Sequence, residues 1–229
     1  MAARVGVVCA HPDDEVLGCG ATMARHAALG DEVHVLILAE GITGRDEGRD
    51  PAARHAQLAA LKQSAQAAAD VLGAHSVTFE GFPDNRMDSV DLLDVVKAVE
   101  RFLVGRSIEA VYTHHAGDLN IDHRITHQAV LTACRPVPGS RVHTLLCFEV
   151  PSSTEWQARG SGEPFMPVWF EDASQTLHAK LAALRCYEEE MRTWPHPRSY
   201  EGVDALARWR GASVGLPAAE AFELVRRIR

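Results

Sequence analysis

A chain of 229 residues with 46% hydrophobic and 24% charged side chains can build a sizeable core and lacks the bias of disordered or fibrous proteins. Its formal net charge is −8 and it has no run of Lys and Arg, so the basic footprint that nucleic acid requires is missing. No stretch reaches the roughly 18 consecutive apolar residues of a membrane span, and the start has no secretory h-region, so a cytoplasmic protein is expected.

In chain order, Arg4 to Cys9 reads as a short Val-rich strand, Thr22 to Leu29 as a helix stopped by Gly30, and Glu32 to Leu38 as a second strand. An Ala-rich stretch over 51–72 places Leu58, Leu61, Ala65, Ala68 and Leu72 at helical spacing, and Ser76 to Phe79 follows as a strand. Ser89 to Val104 repeats the helical pattern, Ala110 to Thr113 is a strand, Asp122 to Cys134 a helix and Leu145 to Val150 a strand. This alternation predicts an α/β chain with a Rossmann-like three-layer fold, a mostly parallel sheet and helices on both faces. A single domain over 1–229 is expected. Its part over 151–229 reads as a C-terminal extension, with a Ser-, Gly- and Pro-rich loop over 151–167 and helices over Ala173–Arg192 and Ala218–Ile228. The five cysteines include no C-x-x-C pair, which argues for reduced, buried thiols rather than a disulfide framework.

In open α/β sheets ligands bind beyond the carboxyl ends of the strands. Two such loops concentrate chemistry. Ala10-His11-Pro12-Asp13-Asp14-Glu15 crowds an imidazole and several carboxylates directly after the first strand, a repulsive arrangement that a divalent cation would compensate. Capping the next helix would need only one of these acids. The second loop runs from His114 to His123, where Asp122 either caps the next helix or orients a ligand. His11, Asp14 and His123 make a three-ligand set with an open position, the pattern of catalytic rather than structural zinc. Zinc brings the pKa of bound water to roughly 7, and Asp13, left unligated, is the expected general base for hydrolysis. His127 reads as a supporting residue rather than a fourth ligand, and at least one of His114 and His115 is expected to line the pocket. The remaining histidines, such as His26, His55, His75 and His143, read as surface or satisfied positions.

These residues resemble the LmbE-like, or PIG-L, family of zinc-dependent N-acetylglucosaminyl deacetylases, whose first signature is the hexapeptide Ala10 to Glu15. The resemblance continues through Gly41-Ile42-Thr43-Gly44-Arg45, Asp84-Asn85-Arg86-Met87, Asp118 to His123 and Ala219-Glu220-Ala221-Phe222. It implies the same ligands and base, with Asp84 and Met87 as sugar contacts and Arg45 against substrate hydroxyls or a phosphate. It also implies a small-molecule amino-sugar substrate, deacetylated by attack of metal-bound water on the amide. Asn120 departs from the family's common His at the position three before the last ligand. Asn donates a hydrogen bond but delivers no proton, which leaves Asp13, His115 and His127 as proton carriers for the leaving amine. Zinc is preferred, although iron, manganese and cobalt suit the same donors, and a homo-oligomer is compatible with the sequence. Two rivals are a metal hydrolase acting on another acyl amide, ester or phosphoester, and a non-catalytic Rossmann-like nucleotide-binding module using Gly18-Cys19-Gly20.

Overall fold

The computed structural model describes residues 2–158 and 160–228. A Val-rich run without alternation suits a strand covered on both faces, and Arg4–Cys9 is that strand, β1, buried from Val5 onward. Beside it lie β2 (Glu32–Ala39) and β3 (Ser76–Phe82) on one side, and β4 (Ala110–His114) and β5 (Thr144–Phe148) on the other. All these neighbours pair in parallel, for example Val7 with Val35 and with Tyr112. The pleat sends alternate side chains to opposite faces. Val5, Val7 and Cys9 join one core with helices α1 (Asp14–Ala28), α2 (His55–Leu72) and α5 (Leu177–Leu184). Val8 joins the other, with α3 (Leu92–Arg106) and α4 (Ile121–Ala133).

The C-terminal part departs from its sequence reading. Ala218–Ile228, expected as a helix, forms strand β7 (Ala219–Arg227), which runs antiparallel to β5 and to a short strand β6 (Trp169–Asp172). The sheet is thus seven-stranded, in the order β3-β2-β1-β4-β5-β7-β6. Without β7 the outer edge of β5 would expose a row of unpaired backbone groups, and pairing them outweighs the helix propensity of the Ala, Glu and Leu residues in the tail. A further helix, α6 (Tyr200–Ala212), packs near β7.

Helix α1 begins at Asp14, earlier than the sequence suggested, and incorporates Gly18 and Gly20. Gly18 is required by contact, since a Cβ there would lie 2.3 Å from the Phe148 ring. The helix breaks at Cys19 (φ −147°). The freed N–H groups of Ala21 and Thr22 donate to the Glu220 carboxylate at 3.1 and 2.7 Å. Lys180 Nζ holds that carboxylate at 2.6 Å and also donates to Leu17 O at 2.7 Å. A buried ion pair therefore splices the two halves of α1. Gly18 and Gly20 serve helix packing rather than a phosphate-binding turn, which removes the sequence basis for the nucleotide-binding alternative. No helix among the described residues is long and apolar enough to cross a membrane.

Candidate metal centre

The strand order reverses direction at β1, whose neighbours are β2 on one side and β4 on the other. A crevice opens at such a switch point, beyond the carboxyl ends of the strands. The loop after β1 supplies His11, Asp13 and Asp14, and the loop after β4 ends in α4, which carries His123. Residues 112 positions apart thereby meet: His123 Nε2 lies 3.3 Å from His11 Nδ1. Asp14 Oδ2 is 3.2 Å from each of these nitrogens. Tetrahedral bonds of about 2.0 Å imply ligand separations of about 3.3 Å, so the three donors have the spacing of one face of a zinc tetrahedron. The donor set fits a divalent cation.

Each imidazole has a carboxylate behind it, hydrogen-bonded to His11 and beside His123 without hydrogen-bond geometry. His11 Nε2 faces Asp122 Oδ2 at 3.0 Å and Asp84 Oδ1 at 3.2 Å, which leaves Nδ1 to point at the triangle. Asp122 is itself fixed by backbone donors, Asn85 N at 2.6 Å and Met87 N at 2.9 Å. The helix cap is Asn120, whose side chain accepts from Asp122 N at 2.8 Å. Asp122 therefore orients His11, and capping falls to Asn120. His123 Nδ1 lies 3.1 Å from Asp118 Oδ1, and its ring stacks on His114 with centroids 3.9 Å apart. Carboxylates behind ligating imidazoles fix the ring and raise its basicity. Burial opposes protonation of His123, but Asp14 and Asp118 outweigh it and push its pKa up to about 9. Such an excess of negative charge around two imidazoles is what a bound cation would neutralise.

Asp13 stands apart from the triangle. Its backbone lies in the left-handed region (φ 107°), a conformation that costs an ordinary residue of order 1–3 kcal/mol and collects at functional sites. The surroundings compel it: Asp13 N donates to Glu15 Oε2 at 3.0 Å, and Glu15 is held by Tyr187 Oη at 2.6 Å. The Asp13 carboxylate receives Arg198 Nη1 at 2.9 Å. Burial pushes its pKa up to about 7 despite the opposing pull of Arg198. A buried carboxyl titrating near neutrality is suited to exchanging protons.

A cleft of about 180 Å³ surrounds these groups, lined in part by Asp13, Arg45, Asp84, Asn120, Glu190 and Arg198. Of the other sequence-predicted residues, Arg45 pairs with Glu190 across the cleft, and Asn120 Nδ2 donates to Asn85 Oδ1 at 2.9 Å. Met87 does not line it: its side chain is fully buried in the core on the α3 and α4 face. That side chain follows the hydrophobic gradient, while its backbone N–H serves Asp122. Neither His114 nor His115 lines this cleft. His114 Nε2 accepts from Ala10 N at 2.9 Å beneath the site. His115 pairs with Glu223 at 2.7 Å. His127 Nδ1 bonds His114 O at 2.8 Å, a packing role that agrees with its sequence reading. Asp118, Glu190 and Arg198 were missed. Asp118 had a signal in its place within the second loop, but Glu190 and Arg198 lie in a segment without periodicity or a local ligand pattern.

A phosphoester chemistry with two ions would need a second donor set. Among the described residues, the second grouping with ligand-like spacing, His11, Asp84 and Asp122, shares His11 with the first and so offers no separate donor set.

Comparison with known proteins adds an independent line. The family model PIG-L, described as GlcNAc-PI de-N-acetylase, matches residues 6–134. The uncharacterized deacetylase YaiS of Escherichia coli (strain K12) is 33% identical over 190 residues, covering 80% of this chain and 90% of that protein. The structure of N,N'-diacetylchitobiose deacetylase from Pyrococcus horikoshii superimposes with a TM-score of 0.76 at 17% identity, covering 98% of this chain and 84% of that one. GalB, the 4-carboxy-2-hydroxymuconate hydratase from Pseudomonas putida KT2440, superimposes with a TM-score of 0.77 at 24% identity, covering 99% and 98%. One fold thus carries both deacetylase and hydratase chemistry, so the reaction must be argued from the site.

Proposed function

The chain belongs to the PIG-L family, and on that premise we propose that it is a zinc-dependent N-deacetylase acting on an N-acetylglucosamine-type amino sugar or its conjugate. One observation carries the reading: His11 Nδ1, Asp14 Oδ2 and His123 Nε2 converge from two remote loops at 3.2 to 3.3 Å, with the Asp13 carboxylate outside the triangle in the same cleft. A divalent cation held by these three residues supplies Lewis acidity toward the amide carbonyl and acidifies water.

The protein's own groups do the rest. Asp13 accepts the proton of the attacking water as its oxygen bonds to the carbonyl carbon, and returns it to nitrogen as the carbon–nitrogen bond breaks. The products are acetate and the protonated amine, which takes up the second proton of the water. The second transfer falls to Asp13 because Asn120 has no proton to deliver and neither His115 nor His127 lines the cleft. Arg198 keeps the Asp13 carboxylate in place. Arg45, Asp84 and Asn120 line the cleft and in this reading meet sugar hydroxyls, whereas buried Met87 has no contact role.

The test is acetate release from N-acetylglucosamine and its glycosides by metal-loaded protein. Release is expected, with loss on chelation and recovery when zinc is restored. A fully loaded protein that releases no acetate from any such sugar would refute the proposal.

A further inference from the structure

Both arginines that line the cleft are already engaged. Arg198 donates to Asp13 at 2.9 Å. Arg45, on the loop after β2, pairs across the cleft with Glu190, which follows α5. The Glu190 side chain is only 9% exposed, whereas the Arg45 side chain is 49% exposed. Arginines close to the same loop are spoken for as well. Arg49 binds Glu40 through two bonds of 2.7 and 3.0 Å, and Arg54 holds Asp46 through Nε at 2.8 Å. Arg86 donates to the carbonyl oxygens of Asp46 and Glu47 at 3.3 and 3.1 Å.

The lining therefore holds the carboxylates of Asp13, Asp14, Asp84 and Glu190 against the guanidiniums of Arg45 and Arg198. A divalent cation on the ligand triangle does no more than balance that charge. Phosphate recognition draws on a guanidinium whose charge is unspent, and among the described residues lining the cleft each guanidinium is already paired with a carboxylate, Arg45 through Nη2 and Arg198 through Nη1. A phosphate on Arg45 would trade solvent for a second anion beside the nearly buried Glu190 carboxylate, a strongly unfavourable exchange. A sugar hydroxyl asks for no such exchange, because it bonds an engaged guanidinium without adding charge. At about 180 Å³ the cleft is also smaller than the roughly 300–1,000 Å³ of pockets for drug-sized ligands, which suits one sugar ring.

We propose that Glu190 is a specificity-determining residue: by occupying Arg45 it restricts the cleft to uncharged amino-sugar conjugates and rejects those with a phosphate next to the sugar. The inference rests on the deacetylase reading for its substrate and on the Arg45–Glu190 pair for its selectivity. Glu190 lies outside residues 6–134 that match the family model, so the selectivity is written in the C-terminal part of the chain.

The experiment compares metal-loaded wild type, Glu190→Gln, and Glu190→Gln combined with Arg45→Gln. One arm measures kcat/KM for a methyl glycoside of N-acetylglucosamine against N-acetylglucosamine 1-phosphate. A second arm measures binding of inorganic phosphate by calorimetry. Wild type is expected to favour the uncharged glycoside by at least about tenfold, and Glu190→Gln to reduce that preference and tighten phosphate binding by about tenfold, as follows from removing one charge at contact distance in a partly solvated site. The double variant is expected to lose the phosphate affinity gained. Equal use of both substrates by wild type would overturn the proposal, as would a Glu190→Gln protein with phosphate affinity within twofold of wild type. If wild type releases no acetate from either sugar, the deacetylase reading falls and the phosphate arm alone decides the role of Glu190. If Glu190→Gln does not fold, the substrate preference of wild type decides it.

Discussion

Replacing Asp118 by Asn tests whether the centre depends on groups behind its ligands. Asp118 is 1% exposed and gathers Asn120 N at 2.9 Å, Thr154 Oγ1 at 2.6 Å and the hydroxyl of Ser153 onto one carboxylate. It also lies 3.1 Å from His123 Nδ1. It thus ties a proposed metal ligand to the segment carrying Ser152 and Ser153, which line the cleft. Asn keeps the shape and one acceptor but loses the charge. Charge-assisted hydrogen bonds are roughly twice as strong as neutral ones. Weakening three of them costs about 2–3 kcal/mol, partly offset because a buried charge no longer has to be desolvated. Loss of a carboxylate behind a ligating imidazole lowers metal affinity by roughly 10- to 100-fold.

The pH dependence follows from the direction of the shift. Burial works against the Asp118 charge, but His123, Ser153 and Thr154 hold its pKa well below the ordinary carboxylate range. Its stabilising contribution is complete above the unfolded value of about 3.9 and is lost as pH falls through the folded value. The stability gap between wild type and D118N should therefore persist at neutral pH and close only in strong acid. Zinc affinity is read by competition with a chelator, and stability by urea denaturation of the metal-free proteins. A D118N protein that binds zinc within twofold of wild type would refute the reasoning, whatever its stability.

Asp13→Asn should keep its zinc and lose on the order of a hundredfold or more in turnover, as for a missing general base; metal analysis and steady-state kinetics check both. Burial raises Asp13 to about 7 and a bound cation pulls it down, so wild-type kcat/KM should fall with decreasing pH along a limb centred at or below about 7. That limb should vanish from the residual activity of the Asn variant. Lys180→Met leaves Glu220 charged and buried where it holds the break in α1, so a loss of about 3–5 kcal/mol is expected in urea denaturation, with partial recovery on adding Glu220→Gln. Gly41→Ala places a Cβ 2.6 Å from Pro12 Cδ at a φ of +89°; the displaced first loop should then show weaker zinc binding in the chelator assay.

The proposed ligands stand out in the sequence because each follows a strand whose apolar run marks where the sheet ends, and because like charges crowded at such a point favour a cation. The fold class was visible for a related reason, since buried parallel strands and amphipathic helices alternate with clear periods from Arg4 to Ala133. The C-terminal elements carry no such period. In β7 the run Ala219 to Phe222 is buried on both faces and cannot alternate, while its composition favours a helix, so only pairing with β5 and β6 decides its conformation. Helix α6 buries little beyond Val203, Ala207 and Gly211, too few for an apolar stripe.

The same boundary divides the site. Asp13 is proposed as a base from its neighbours in sequence, but Arg198 reaches it from 185 positions away and Glu190 reaches Arg45 from 145. Each is a charge on an irregular segment, and its meaning depends on where that segment lies. In the proposed function, the residues that would bind the ion are fixed by local chemistry, whereas those that would tune and screen what reaches it are fixed by tertiary placement. Substrate selectivity should therefore change by substitution at Glu190 or Arg198 without altering the two loops that hold the metal. Zinc affinity within threefold of wild type in a Glu190→Gln protein, alongside altered selectivity, is the expected mark of that separation; a parallel loss of zinc would show that the two functions are not separable.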